Sequence, residues 1–153
     1  FSADGCVLGY GSRYSFYAVA DLALEKRTDD LTPVPSVSLL SAQLQSDTGR
    51  VMFAATRSMA GEGNRLVTSG FLYGKNLADE DLVLEMAGKP GTGTDAGTVR
   101  CAQNRSTEPE GQFVLYYGIS AHVGTAAARA YLTYADADGA LHTVYSDVLR
   151  YTY

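Results

Sequence analysis

Tryptophan is absent from this 153-residue chain, lysine occurs three times, and cysteine and histidine only twice each. Without Trp, the commonest platform for stacking sugars is missing. His122 and His142 form neither a His-x-His nor a His-Glu-x-x-His pattern, so a zinc site would need both imidazoles plus a distant carboxylate. No Cys-x-x-Cys pair is present for metal or redox work. The scarcity of lysine holds charged residues to 19%, below the roughly 25% typical of soluble domains. Twelve basic against 17 acidic residues leave a net charge of −5, which argues against nucleic acid and anionic membrane surfaces. Long apolar runs are lacking too. Residues 31–44 come nearest to the ~20 needed to span a bilayer, and Pro33, Pro35 and several polar residues interrupt them.

What the chain does have is glycine and tyrosine, 16 and 11 residues respectively. The glycines fall between short aromatic and β-branched runs, which is the pattern of strands joined by turns. Strands are expected at 13–24, 37–44, 50–58, 65–73, 81–86, 98–102, 112–117, 127–135, 141–145 and 148–153. Residues 76–86 and 21–27 admit a helical turn or two instead. Along 65–73, Val67, Ser69, Phe71 and Tyr73 make the better core face. Along 127–135, Arg129, Tyr131 and Thr133 oppose Ala128, Ala130, Leu132 and Tyr134. No parallel-sheet pattern follows either helical candidate. The expected fold class is therefore all-β, an antiparallel β-sandwich, immunoglobulin-like or related, of eight to ten short strands. A single domain over residues 1–153 is expected. The first residue is Phe1 rather than Met, so a piece excised from a longer multidomain protein is expected.

Chemical constellations are sparse, and neither a catalytic residue nor a cofactor is expected. Serine nucleophiles lack a Gly-x-Ser-x-Gly context. The glycine-rich segment 88–97 lacks the Gly-Lys-Ser/Thr ending of a phosphate loop and reads as a surface loop. Asp136-Ala137-Asp138-Gly139 resembles the opening of a calcium loop. No closing Glu follows, so Asp136 and Asp138 are metal candidates only against the simpler reading of a hairpin turn. Asn104-Arg105-Ser106 is a formal glycosylation acceptor. Tyrosine suits thin sandwich cores, protein contacts and glycan stacking alike. Tyr116 and Tyr117 must point to opposite faces of a strand, and they and Tyr134 are the candidate ligand-binding residues. Cys6 and Cys101 could close one long loop through a disulfide, or remain buried thiols.

The segment from Ala128 through Arg129-Ala130-Tyr131-Leu132-Thr133-Tyr134 to Asp136-Ala137-Asp138-Gly139, continuing to Val144-Tyr145-Ser146, resembles a known hairpin. It is similar to the closing hairpin of a β-sandwich module found in large secreted or surface proteins of Gram-positive, often gut, bacteria. Arg50-Val51-Met52-Phe53 and Ser69-Gly70-Phe71-Leu72-Tyr73-Gly74 are similar to earlier strands of that module. The likeness covers roughly residues 50–145. It implies an extracellular or cell-surface setting and a non-catalytic structural, display or adhesion role. The implied partners are neighbouring domains of the same protein and a host or cell-wall protein or glycan, without nucleic acid or membrane insertion. The alternative is a carbohydrate-binding module accessory to a polysaccharide-active protein.

Overall fold

The computed structural model describes residues 33–153, of which Val34–Tyr153 form one unit. The expected strand at 13–24, the helical alternative at 21–27 and Cys6 lie outside the described residues. Among the described residues, seven strands, β1 (Ser36–Gln45), β2 (Arg50–Ser58), β3 (Arg65–Lys75), β4 (Arg100–Asn104), β5 (Gly111–Tyr117), β6 (Thr125–Ala135) and β7 (Leu141–Thr152), form two sheets. One sheet has the order β1-β2-β5 and the other β4-β3-β6-β7, with every pairing antiparallel. The fold is the expected all-β sandwich.

Alternation buries one face of each sheet against the other. Val51, Phe53 and Ala55 of β2 and Phe113 and Leu115 of β5 meet Phe71 of β3 and Ala126, Ala128, Ala130 and Leu132 of β6. The division of labour is unequal, because β6 supplies mainly methyl groups while its partners supply rings. Phe71 and Phe113 pack with centroids 5.0 Å apart and planes tilted by 57°, a favourable arrangement for aromatic quadrupoles.

Three local features separate the structure from a plain reading of alternation. A register shift between Leu66 and Thr68 leaves Val67 49% exposed, while Leu66 packs against the core. The expected inner face of β3 therefore holds from Ser69 onward but not at Val67. A second irregularity, opposite Ala130, takes up Ser146 and Asp147, so the two expected strands at 141–145 and 148–153 are one continuous β7. Ser146 Oγ accepts the Ala130 N–H at 2.9 Å, which replaces the ladder bond that the bulge removes. The expected strand at 81–86 is instead a pair of short 3₁₀ turns, Asp79–Asp81 and Leu84–Met86. The helical alternative for this stretch was the better one. Leu77, Asp81 and Leu84 lie near helical spacing, and Leu77 and Leu82 pack on the outer face of the four-stranded sheet.

That packing makes a second small core. Leu72, Leu77, Leu82, Val99, Ala127 and Tyr131 are buried between the outer face of β3 and β6 and the excursion 76–99. A single carboxylate fastens the excursion. Asp81 accepts the Ala78 N–H at 3.1 Å and the Thr92 N–H at 3.1 Å on both oxygens. Its solvent exposure is 1%, although it lies shallow, just beneath the surface loop. Burial alone would push this carboxyl up, but the hydrogen bonds from Thr92 and Ala78 together prevail and hold it below the usual carboxylate range.

A depressed folded-state value means that Asp81 stabilises the fold above the unfolded pKa of about 3.9. That contribution is lost as pH falls through the folded value. Asp81→Asn turns an acceptor pair into one acceptor and one donor facing N–H groups, and is expected to cost about 1–2 kcal/mol at neutral pH. Urea unfolding of both proteins between pH 2 and 7 checks this. The gap should close as the parent is acidified, and a gap that stays constant with pH would remove Asp81 as the clamp.

Candidate functional site

Pairing fixes which residues share an end of the sandwich. Gln45 pairs with Arg50, Val51 with Tyr117, and Thr125 with Thr152. The β1–β2 turn at 46–49, the β5–β6 connection at 118–124 and the end of β7 thus gather at one end. Ser36, Ser58, Gly111 and the 136–140 turn gather at the other, through the pairs Ser36–Ser58, Arg57–Gly111 and Ala135–Leu141.

The three candidate tyrosines are not brought together. Tyr116 is 52% exposed on the outer face of the three-stranded sheet, where it borders a shallow hollow with Gln45, Asp47, Thr48 and Arg50. Tyr117 points the other way, as strand geometry demands, and packs edge-on against Tyr73 with centroids 4.9 Å apart. Burial pushes its phenol up, and the Arg100 guanidinium only partly offsets this. Tyr134 lies near the opposite end, half-buried against the core, with His142 stacked on it at 5.2 Å.

Asp136 organises the closing hairpin. Its Oδ1 accepts the N–H groups of Asp138 and Ala140, each at 2.9 Å, and its Oδ2 faces His142 Nε2 at 2.7 Å. The imidazole and the two amides hold the Asp136 carboxyl below its ordinary range. Both oxygens are thereby engaged within the turn. Among the described residues, no group of three or more His, Cys, Asp or Glu side chains is placed to share a cation.

Cys101 is exposed on β4, and its thiol donates to Tyr131 Oη at 3.5 Å. Burial, then this contact, pushes the Tyr131 phenol up to about 12. The proposed partner Cys6 lies outside the described residues. Asn104 of the glycosylation triplet accepts the Ser106 N–H through Oδ1 at 2.8 Å, which folds the triplet into a side-chain turn.

A further surface hollow involves residues that sequence reasoning did not bring together. In the 118–124 connection, Ala121 and His122 both adopt the left-handed region, with φ of +65° and +49°. His122 N–H donates to Ile119 O at 3.0 Å. The turn delivers the His122 ring onto Tyr153, stacked at 5.2 Å with only 16° between planes. Gly49 leaves room for the Nε2 edge of the ring. A Cβ at Gly49 would stand 2.3 Å from His122 Nε2. Tyr153 Oη donates to Gly49 O at 2.9 Å, and Tyr151 meets Tyr153 edge-on at 5.5 Å. With Leu44 and Ser46 these residues line a hollow of about 370 Å³. The Tyr151-Thr152-Tyr153 spacing was legible as two rings on one strand face, whereas the approach of His122 depends on the fold alone. Comparison with protein-family models, with curated proteins and with solved structures found no match.

Proposed function

We propose that this chain is a non-catalytic, immunoglobulin-like module of a bacterial surface protein that serves display or adhesion outside the cell. The observation that carries this reading is the way the chain threads the sandwich. It enters β1 at Ser36 at one end and leaves β7 at Thr152 at the other. Threading of this kind separates the entry of β1 from the exit of β7 by the length of the sandwich, as a spacing module requires. The 12 residues of β7 span about 40 Å at roughly 3.3 Å per residue. The strand order β1-β2-β5 over β4-β3-β6-β7 supports the immunoglobulin-like class, in which two antiparallel sheets divide the strands in this manner. The similarity of the closing hairpin to Gram-positive surface modules supports the setting.

Display is tested by inserting one, two or three copies of the full chain between a cell-wall anchor and an epitope tag in a Gram-positive host. Antibody binding to intact cells should rise with each copy. Unchanged binding, with every copy folded and exported, would sink the display reading. A glycan-binding role is the second reading, favoured by the half-exposed rings gathered at the β7 end.

A further inference from the structure

We propose that the hollow lined by Leu44, Ser46, Gly49, His122, Tyr151 and Tyr153 is a binding subsite for a neutral saccharide. The inference rests on the adhesion side of the proposed function and gives it a location.

Backbone strain is concentrated in the turn that carries His122. Left-handed geometry is unfavourable for residues that carry a Cβ, and here two such residues adopt it in succession. Strain of this kind persists where the surrounding structure enforces it, and it concentrates at ligand sites. Its product at this place is the presentation of one imidazole, and His122 is solvent-exposed. The sandwich core gains no burial from it. Gly49, itself at φ +66°, completes the arrangement by leaving open the space its side chain would fill.

The lining itself selects a ligand chemistry. Two tyrosine rings and Leu44 offer apolar surface, while the Ser46 hydroxyl and the imidazole nitrogens offer hydrogen bonding at the rim. Among the described residues, no Asp, Glu, Lys or Arg side chain lines the hollow. A ligand that matches is uncharged, has an apolar face and is edged with hydroxyls, as a pyranose is. The volume lies within the range of small-ligand sites.

Other hollows fit less well. Two of about 380 Å³ each flank the 104–107 segment. The polar groups there are already turned on one another, with Gln103 Nε2 on Thr68 Oγ1 and Asn104 Oδ1 on the Ser106 N–H. A smaller one beside Lys75 and Arg100 is cationic, with a different ligand chemistry.

The test is a heteronuclear NMR titration of the full chain with tetramers of β-1,4-linked glucose, mannose, xylose and N-acetylglucosamine. At least one tetramer should move the amides of Gly49, His122, Tyr151 and Tyr153 saturably. Leu44→Glu and His122→Gly should each weaken that binding at least tenfold. His122→Gly should melt no lower than the parent, because glycine relieves the left-handed strain. The inference is overturned if no tetramer moves these amides, if the shifts map to the Tyr116 face, or if both variants bind as the parent does. A lowered melting point for His122→Gly would make the imidazole a structural pin and would overturn its assignment. Failure on any of these counts leaves the display reading standing, because tag accessibility does not depend on a ligand.

Discussion

Replacing Arg57 by alanine is expected to lower unfolding stability by about 3 kcal/mol, within the range for breaking a buried polar network. Arg57 points inward from β2 and is 3% exposed. Its Nε donates to Glu108 O at 2.9 Å, Nη1 to Ser69 Oγ at 3.4 Å, and Nη2 to Ser106 Oγ at 3.2 Å and again to Glu108 O. The guanidinium carbon lies 5.4 Å from the Phe113 ring centroid. Among the described residues, no carboxylate pairs with it within salt-bridge distance. A buried cation of this kind is tolerated because a carbonyl and two hydroxyls, arranged for a planar fork, take the place of a counter-ion. Alanine would leave the Glu108 carbonyl short of both its donors and open a void beside Phe113.

Arg57→Lys should recover less than half of the loss, since a single ammonium cannot reach both sheets and the loop in that geometry. Urea unfolding gives the magnitude. Amide exchange gives the place, with the 105–110 connection losing protection first. A loss below about 1 kcal/mol, the worth of one ordinary hydrogen bond, would show that the guanidinium does not fasten the two sheets.

The second large effect is expected at Gly70. A Cβ there would stand 2.2 Å from Ala102 O and 2.9 Å from Gln103 Cα, both of them backbone atoms of the neighbouring strand β4. No flexible side chain can swing aside to relieve the contact. In an open position, Gly→Ala gains about 0.4–1 kcal/mol by restricting the unfolded chain. Here overpacking should reverse the sign, and a net loss of about 3 kcal/mol is expected. Gly70→Ala should also detach β4, seen as faster exchange at Ala102 and Gln103 while the β6–β7 ladder stays protected. An alanine variant as stable as the parent would mean that β4 can move outward freely, and would remove close approach as the reason for glycine at this position.

Gly70 also shows what was and was not legible in the sequence. The run Ser69-Gly70-Phe71-Leu72-Tyr73-Gly74 announces a strand, and its alternation places Phe71 and Tyr73 inward. That Leu72 on the opposite face would also be buried is not visible locally. It depends on the 76–99 excursion folding back over the sheet, fastened by Asp81, whose importance rests on the N–H of Thr92, well outside its own turn. Bulges escaped for a related reason. A single extra residue at Val67, or at Ser146-Asp147, changes which face the following residues occupy, yet nothing in composition marks it. The closing hairpin was readable because its determinants are local. Asp136 serves its own backbone within four residues. The hollow at the end of β7 is the reverse case. It is assembled from a hairpin turn, a loop and a strand end that lie far apart along the chain, and only the pairing registers bring them together.

Threading from one end to the other also decides how the sandwich carries mechanical load. β1 and β7 run in the same direction and lie close to one another on different sheets. Tension applied between Ser36 and Thr152 therefore acts along the strand axes. The β1–β2 and β6–β7 ladders meet it in shear, with their hydrogen bonds sharing the force together rather than opening in turn from a frayed end. Pulled between those two points, the sandwich holds its length until one of these ladders gives way as a whole.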